Sequence, residues 1–410
     1  MKTINLSNKK IFVINNNTGR WGITKEETVN ELKIELKKPV IEKKYDGTDL
    51  LVLNSSNECN LNCIYCSEVE HRYSHSRMSE EIAYQTVERA LNEEKVPSII
   101  FHGSEPTRNF PWIKKIVKYG YKRMNETGRV INFAIQSNLA ELPKGFLDFI
   151  AEYHVGVSTS LDGTTEIHNK TRPYLDGRPS FEDVLKNAKK IIKLQGSLNV
   201  ATVITKFNVR SLESILTLFE NEGITSWQTI PAEGNSEIAP NPVQLGESYI
   251  SLFNKVFNQI EKGEQKMEVR TISQYLASLF VHNGINACRL CSSGNIQPLL
   301  AVDYDGNVYP CDYFWKDKNL AIGNIKKQSV KSMLNSQGNL RMRDINKTGC
   351  FDCTWKSNCG GGCLASNYYS GKAKSPYCKT HKIVYNNLAK QMPELIERNL
   401  IKPILLWSVK

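Results

Sequence analysis

From residue 50 to residue 230 the chain alternates short apolar runs with amphipathic helical patterns, and this alternation restricts the fold more than any other feature. Helical patterns cover 110–124, 146–153, 181–194 and 211–222, and Ser79 is the predicted N-cap of a further helix. Six strands are predicted: LLVL (50–53), SIIF (98–101), INFAI (131–135), VGVST (155–159), NVATVI (199–204) and SWQTI (226–230). Alternating strands and helices form parallel sheets, and six units favour a partial (β/α)6 barrel over a closed barrel of eight.

A smaller unit precedes the first of these strands. Residues Lys10 to Ile14 and Arg20 to Ile23 are predicted to be two strands around a turn-rich segment. Thr24 and Glu27 form a predicted capping box for a helix that ends at Pro39. We therefore expect a hairpin and helix over residues 1–48, ahead of the barrel.

Three cysteines follow the first barrel strand directly, in the sequence CNLNCIYC. Cys59, Cys63 and Cys66 therefore belong to the first loop at the carboxyl end of the sheet, where parallel barrels place their chemistry. Three thiolates on one loop can bind an iron–sulfur cubane and leave its fourth iron open to a substrate. The alternative is a zinc or cluster site that a distant fourth cysteine completes.

The CX3CX2C spacing, with the aromatic Tyr65 before the last cysteine, resembles the signature of the radical S-adenosylmethionine (SAM) enzymes. The end of the second strand, FHGSEP, resembles the GGEP motif of that family, with Ser104 in place of the second glycine. The resemblance implies that the backbone at Gly103 and Ser104, together with the Glu105 side chain, holds the amino group of SAM. It also implies that Tyr65 contributes to the cofactor site.

Two further strand ends carry motifs of the same family. After the third strand, QSN resembles the QTN segment that lines the SAM cavity, which places Gln136 and Asn138 there. After the fourth strand, SLDG with His168 and Arg172 resembles the SxDG...H...R region. The resemblance implies that Ser160 and Arg172 bind the SAM ribose and carboxylate, the latter because a guanidinium fork matches two carboxylate oxygens.

The other eight cysteines lie in the last third of the chain, and eight is the number that two complete 4Fe–4S cubanes need. Their spacing resembles the seven-cysteine SPASM motif with one added cysteine, although the last gap, of fourteen residues, is shorter than usual. The family pattern implies one auxiliary cluster on Cys288, Cys291, Cys311 and Cys363 and a second on Cys350, Cys353, Cys359 and Cys378. A pair of zinc sites is the alternative, because CX2C and CX3C pairs also occur in zinc ribbons.

Asp312 directly follows the predicted cluster ligand Cys311. Related sulfatase-maturing enzymes keep their proposed proton acceptor at this place, which implies a catalytic role for Asp312. Oxidation of a substrate by loss of a hydrogen atom releases a proton as well as an electron, and a carboxylate can accept the proton. The alternative is that Asp312 caps the following turn or accepts a hydrogen bond from the cysteine backbone.

Composition limits the compartment and the partners. The 11 cysteines are clustered, the first residues do not resemble a signal peptide, and no segment has the length and apolarity of a membrane span. We therefore expect a cytoplasmic protein with no membrane partner. The net charge of +11 comes from lysines scattered along the chain, without the basic, aromatic-rich domain of single-strand binders, so nucleic acid is not an expected partner.

The resemblance predicts a radical SAM oxidoreductase that acts on a peptide or protein and uses SAM with three 4Fe–4S clusters. The leading hypothesis is a maturase that cleaves SAM to a 5'-deoxyadenosyl radical and takes hydrogen from a ribosomally made precursor peptide with a leader. The product would be a thioether, carbon–carbon or ether crosslink between side chains. The alternative is an anaerobic sulfatase-maturing enzyme that forms formylglycine from Cys or Ser. A flavodoxin- or ferredoxin-like protein is the implied reductant.

A purely electron-transferring iron–sulfur protein would need the clusters but not the SAM motifs at successive strand ends, which disfavours it. The predicted domains are a TIM-like partial barrel at 49–240, a helical connector at 241–287, a SPASM domain at 288–383, and a C-terminal helix and tail at 384–410. The N-terminal unit, 1–48, partly resembles the leader-recognition domain of peptide maturases. The alternative is that this unit is only a packing extension.

Overall fold

The computed structural model describes residues 1–6, 9–37, 48, 50–66, 76–93, 97–233, 236–281, 299–339, 349–372 and 374–407. Within these ranges the strands form two sheets, one of three strands near the N-terminus and one of ten strands. No helix in the same ranges combines the length and the apolarity that crossing a bilayer requires.

The N-terminal unit is a three-stranded antiparallel sheet with one helix. Its elements are β1 (Lys2–Asn5), β2 (Lys10–Ile14), β3 (Trp21–Lys25) and α1 (Val29–Glu35). The predicted hairpin is present, but β1 was not predicted. The predicted capping box is wrong, because Thr24 lies inside β3, paired with Ile11, and a 3-10 turn at Glu26–Thr28 separates the strand from α1. Pro39 lies outside the described residues.

The six predicted strands form the centre of the large sheet. They are β4 (Leu50–Asn54), β5 (Ser98–His102), β6 (Asn132–Gln136), β7 (Gly156–Ser160), β8 (Asn199–Ile204) and β9 (Ser226–Pro231). Each strand pairs in parallel with the next one along the chain. The protein is therefore an α/β protein with a large, mostly parallel sheet, an arrangement consistent with the predicted partial barrel.

Five of the six described helices between these strands agree closely with the sequence prediction, whereas the helix Thr165–Thr171 was not predicted. They are α2 (Glu80–Leu91), α3 (Phe110–Thr127), α4 (Phe146–Glu152), α5 (Thr165–Thr171), α6 (Phe181–Gln195) and α7 (Leu212–Asn221). The Ser79 hydroxyl accepts a hydrogen bond from the Ile82 N–H at 3.3 Å, as expected of an N-cap. Helix α3 runs one turn beyond its predicted end, because the left-handed residue that terminates it is Gly128.

Burial alternates along the central strands. On β5, Ile99 and Phe101 are fully buried against the helices, whereas the residues between them are half-exposed. The same alternation recurs on β6, β7 and β8. The half-exposed face carries mostly small or polar residues, including Ser98, Ala134, Gln136, Ser158, Ser160 and Ala201. Large branched side chains fill the interior of a closed barrel, so the residues of this face differ from those of such an interior.

The cysteine-rich C-terminal region extends the same sheet. The helices α8 (Pro242–Lys262) and α9 (Arg270–Val281) flank β10 (Glu268–Val269), and β11 (Leu299–Val302), β12 (Asn307–Tyr309) and β13 (Gly323–Asn324) continue the sheet on its other side. The remaining helices are α10 (Val330–Leu334), α11 (Lys356–Cys359), α12 (Leu364–Ser370), α13 (Cys378–Glu397) and α14 (Ile401–Trp407). Because β11 pairs in parallel with β4, this region is built onto the strand that leads into the cysteine triad.

Candidate active site

The loop after β4 carries Cys59, Cys63 and Cys66, and backbone hydrogen bonds attach it to the end of α5 and the segment that follows. The Asn62 N–H donates to the carbonyl of Pro173 at 2.7 Å, and the Ile64 N–H donates to the carbonyl of Thr171 at 3.0 Å. The protein itself therefore sets the path of the loop. Thiol groups at three positions of one ordered loop fit a cubane with one open iron.

Asp162, which follows β7, is the centre of a buried polar network that reaches the triad loop. Its Oδ2 accepts hydrogen bonds from the Tyr65 hydroxyl at 2.5 Å, the Thr171 hydroxyl at 2.7 Å and Arg172 Nε at 3.1 Å. The Asp162 side chain is completely buried, and Arg172 supplies the opposite charge that a buried carboxylate requires. Sequence analysis placed Asp162 in the SLDG motif without a role, although its position at a strand end was the available signal.

Arg172 lies beside the triad, and its predicted contact with SAM stays a prediction. Its Nη1 is 3.9 Å from Cys63 Sγ, and its guanidinium carbon is 5.3 Å from the centre of the Tyr65 ring. The Nε edge of the guanidinium binds Asp162, which fixes the direction in which the other nitrogens point. Arg172 is therefore oriented to donate to an anionic group bound next to the cysteines, such as a carboxylate.

His168 stabilises this network through contacts with the Asp162 backbone and the Ser180 hydroxyl. Its Nδ1 accepts a hydrogen bond from the Asp162 N–H at 3.3 Å, and its Nε2 is 3.1 Å from the Ser180 hydroxyl, which donates to the carbonyl of Arg172 at 2.5 Å. These contacts require a neutral ring with its proton on Nε2. Burial lowers the pKa of His168 to about 4, which keeps the ring neutral at pH 7. His168 therefore positions the loop between β7 and α6.

The turn after β5 explains both the glycine and the serine of the GSEP motif. Gly103 has a φ of 81°, and a Cβ atom there would lie 2.4 Å from Asn54 Oδ1, so only glycine fits. Ser104 has a φ of 38°, a left-handed conformation that costs an L-residue about 1–2 kcal/mol. A glycine at this position, as in the family motif, avoids this strain, whereas Ser104 has it.

Glu105 connects two strand ends. Its Oε1 accepts hydrogen bonds from the Thr107 N–H at 3.0 Å and the Ser137 hydroxyl at 2.9 Å, and its Oε2 accepts one from the Asn138 N–H at 2.6 Å. Burial raises the pKa of this carboxyl group, and the hydrogen bonds oppose that effect. Glu105 therefore holds the QSN loop against the end of β5, whereas its contact with the SAM amino group stays a prediction.

The QSN loop reaches both the fourth strand and the triad. Gln136 Nε2 lies 3.3 Å from the Ser160 hydroxyl, and Asn138 Nδ2 donates to Asn60 Oδ1 at 2.8 Å. Asn138 Nδ2 is also 3.8 Å from Cys59 Sγ. The ends of β4 to β7 thus bring the four predicted SAM motifs together around one loop.

Asp312 begins a 3-10 turn after β12 and faces the end of β5. Its Oδ2 lies 3.7 Å from His102 Nδ1, and its Oδ1 accepts a hydrogen bond from Cys311 Sγ at 3.2 Å. His102 directly precedes Gly103, so a carboxylate of the C-terminal region reaches the strand that carries the GSEP motif. His102 was not predicted as a site residue, although the alternation along β5 puts it on the half-exposed face of the sheet.

Four C-terminal cysteines, which the resemblance assigned to one cluster, line a single cavity that we call the four-cysteine cavity. Its thiols are those of Cys350, Cys353, Cys359 and Cys378. Burial raises the pKa of Cys350 and of Cys359, so binding of a metal cluster there has to displace protons. In the described ranges no three His, Cys, Asp or Glu side chains converge on a position for one metal ion. Four thiols around a cavity are a donor set that fits a 4Fe–4S cluster.

The other predicted auxiliary site is described only in part. Cys311 and Cys363 lie in the same apolar cluster, and both interact electrostatically with Tyr313. Cys288 and Cys291 lie outside the described residues. The structure therefore brings together the two described members of this predicted ligand set, and neither of them lines the four-cysteine cavity.

The N-terminal sheet packs against helix α11, which follows Cys353. The Ser357 hydroxyl donates to the carbonyl of Asn17 at 2.8 Å, and Asn358 Nδ2 donates to the carbonyl of Gly19 at 3.2 Å. Both carbonyls belong to the turn between β2 and β3. This turn therefore supports one wall of the four-cysteine cavity, a contact that sequence analysis did not anticipate.

Comparison with known proteins agrees with this geometry. Residues 53–219 match the Radical SAM superfamily, and residues 285–354 match the SPASM iron–sulfur cluster-binding domain. The chain is similar to a cysteine-type anaerobic sulfatase-maturating enzyme of Clostridium novyi (strain NT). The two are 27% identical over 366 residues, which cover 83% of this chain and 95% of that enzyme.

Two solved structures resemble this one. Native anSMEcpe with bound AdoMet and Cp18Cys peptide matches with a TM-score of 0.72 at 23% identity, over 86% of this chain and 99% of that chain. Streptococcus suis SuiB bound to precursor peptide SuiA matches with a TM-score of 0.60 at 14% identity, over 91% of this chain and 98% of that chain. At these identities the likeness shows the fold. The two matches show that the chain carries a radical SAM domain at residues 53–219 and a SPASM domain, and that it is an enzyme that uses SAM and iron–sulfur clusters.

Proposed function

We propose that this enzyme oxidises a polypeptide by removing hydrogen from a carbon atom. Bound SAM and its reduced cluster supply the 5'-deoxyadenosyl radical that takes the hydrogen atom. The observation that carries the proposal is the contact between Asp312 and His102, which brings a carboxylate to the strand with the SAM motif. Oxidation of the substrate carbon also releases a proton, and in this proposal Asp312 accepts it.

The proposed substrate path follows the half-exposed face of the large sheet, which we propose curls into a partial barrel. This face carries small and polar residues on β5, β6 and β7, and a substrate would lie next to them at the ends of these strands. A polypeptide segment placed there would meet the triad loop on one side and Asp312 on the other. Arg172 and the QSN loop hold the cofactor end of the same space.

We take the substrate to be a ribosomally made precursor peptide and the product to be a side-chain crosslink. The supporting feature is the outer edge of β3, which pairs with β2 alone among the described strands. A leader peptide that adds there as a further strand would bind through main-chain hydrogen bonds. Its attachment would raise the local concentration of the core peptide near the active site.

The register identifies which backbone groups face that edge. The Asn15 N–H donates to the carbonyl of Arg20 at 2.8 Å, and residues that bond to the partner strand alternate along an antiparallel pair. Ile23 therefore directs its N–H and its C=O away from β2. By the same reasoning from the Leu6 N–H, which donates to the carbonyl of Lys10 at 2.9 Å, Thr3 faces outward on β1.

The test compares Ile23→Pro with Thr3→Pro. Each change removes one outward N–H and leaves the ladder to β2 intact, because proline is tolerated on edge strands. With Ile23→Pro, modification of a leader-bearing peptide should fall by about tenfold or more, while uncoupled release of 5'-deoxyadenosine continues. Thr3→Pro should behave as wild type. If wild-type protein modifies leader-bearing and leader-free peptides equally, the sheet does not bind a leader.

Removal of residues 1–48 would be a weaker experiment. Phe12 packs against Trp355, which lines the four-cysteine cavity, with ring centres 6.0 Å apart. Truncation would uncover this contact and remove the hydrogen bonds to α11. Loss of product in a truncated protein would therefore not distinguish loss of leader binding from loss of cluster stability.

A second candidate is oxidation of Cys or Ser to formylglycine. The relative in Clostridium novyi is named a cysteine-type anaerobic sulfatase-maturating enzyme, and this chain also has Asp312 directly after a predicted cluster ligand. Incubation with sulfatase-derived peptides that contain Cys or Ser, followed by mass spectrometry and aldehyde labelling, separates the two candidates. An aldehyde product without any crosslink would assign the chain to this second function.

A further inference from the structure

The surface around the four-cysteine cavity combines an exposed aromatic ring with positive charge. Phe351, which directly follows Cys350, is 68% exposed, and Lys356 Nζ lies 5.3 Å from the centre of its ring. Lys356 and Lys382 also line the cavity itself. The four cysteines are only half-buried, so a cluster bound by them would lie close to the solvent.

The charge in this region is strongly asymmetric. Residues 350–390 contain six lysines and one acidic residue. Exposed Lys374 interacts electrostatically with Cys350, and exposed Lys379 and Lys382 lie in the first turns of α13. We call the surface formed by Phe351, Lys356, Lys374, Lys379 and Lys382 the lysine face.

We propose that the lysine face docks a small acidic electron-transfer protein, which exchanges one electron with the cluster of the four-cysteine cavity. The proposal rests on the proposed function, because oxidation of the substrate leaves an electron that has to leave the enzyme. The oxidised carrier gains that one electron, and no covalent bond forms or breaks. The lysines attract an acidic partner over a long range, while Phe351 supplies an apolar contact beside Lys356.

The experiment uses anaerobically reconstituted full-length protein and two probes, an acidic flavodoxin and an acidic 2Fe–2S ferredoxin. The test variant is K356E/K374E/K382E. The matched control is K118E/K186E/K193E, which makes the same change in net charge at exposed lysines of α3 and α6. Iron content and the visible spectrum are measured for each variant, to check that it has kept its clusters.

At low ionic strength the Kd of the carrier should rise by about tenfold or more in the test variant and stay near the wild-type value in the control. The difference should shrink at high salt, because salt screens charges on exposed surfaces. Phe351→Ser should weaken binding at both salt concentrations. Whichever carrier binds more tightly identifies the redox group as a flavin or an iron–sulfur centre.

Equal Kd values for the two charge variants would overturn the proposal. It would also fail if a short single-stranded RNA bound the lysine face more tightly than both carriers and lost affinity in the same variant. Neither measurement requires SAM or a peptide. Failure of the docking proposal is therefore distinguishable from failure of the proposed peptide oxidation.

Discussion

The triad loop and the four-cysteine cavity hold their cysteines in different ways. Backbone hydrogen bonds set the path of the triad loop, and the Tyr65 hydroxyl ties it to the buried carboxylate of Asp162, which Thr171 and Arg172 also bind. The wall of the four-cysteine cavity instead depends on α11, which the N-terminal turn supports. Buried hydrogen bonds around Asp162 order the triad loop, whereas packing of the N-terminal turn against α11 supports the four-cysteine cavity.

This difference teaches where each site should be sensitive. A buried network is stable when every polar group has a partner, and it fails when one charged member loses its counterpart. The four-cysteine cavity has thiols with raised pKa values and a supporting contact more than 300 residues away in sequence. Its integrity should therefore depend on the bound cluster and on the N-terminal sheet.

The largest expected effect is the complete loss of the triad cluster while the auxiliary clusters remain. Replacing Cys59, Cys63 and Cys66 together by Ala should abolish SAM cleavage and lower the iron content from about twelve to about eight per chain. Iron and sulfide analysis after anaerobic reconstitution, with assay of 5'-deoxyadenosine, measures both. Surviving SAM cleavage in this variant would contradict the role of the triad. In the wild-type protein, tightly bound zinc with about four irons per chain would contradict the auxiliary clusters.

Asp162→Asn tests the local network. The change leaves the Arg172 guanidinium buried without its negative partner, which should lower the free energy of unfolding by about 3–5 kcal/mol. Iron should be lost from the triad site first. The control is Asp176→Asn, because Asp176 forms an exposed pair with Arg178 and should cost less than about 1 kcal/mol. Equal effects of the two changes in urea unfolding would show that the network is not what holds the loop.

His168 gives the network a pH dependence of known sign. Burial lowers its pKa to about 4, whereas an unfolded histidine has a pKa near 6.5. Its contribution to stability is therefore complete above about pH 6.5 and is lost as the pH falls towards 4. Between pH 7 and pH 5 this ring should cost the folded state about 2 kcal/mol, and His168→Gln should remove that part of the slope.

The control for the pH experiment is His154→Asn. His154 is exposed, and its φ of 46° suits asparagine. The slope of unfolding free energy against pH should stay at the wild-type value in this variant. A wild-type slope in His168→Gln as well would mean that the buried ring is not what couples pH to stability.

Asn358→Ala addresses the four-cysteine cavity and should give the smallest effect. The Asn358 amide joins the carbonyls of Gly19 and Ser278, and loss of these bonds should cost about 1–3 kcal/mol. A chelator should then remove iron faster from the auxiliary clusters, while the SAM cluster is unaffected. Chelation followed by absorbance and electron paramagnetic resonance measures each cluster type. Faster loss of iron from the SAM cluster alone would contradict the conclusion that Asn358 supports the four-cysteine cavity.

Much of the central sheet and of the cofactor site followed from local sequence. The strands β4 to β9 have the alternation of apolar runs and helices that sequence patterns report, and they were predicted within a few residues. The strands β10 to β13 have two to four residues each, too few for a periodic signal. The capping box was predicted wrongly because pairing with β2 extends β3 through Thr24.

The sequence by itself determined the central strands, and it predicted which side chains bind the cofactors. Cysteine spacing and the motifs at successive strand ends are local patterns, because each group lies next to its own strand in the chain. Only the tertiary structure decided which distant groups meet. Asp312 reaches His102 across more than 200 residues, and Ser357 reaches Asn17 across 340. Such contacts depend on how β11 pairs with β4 and on how the N-terminal sheet packs against α11, and no local pattern records either choice.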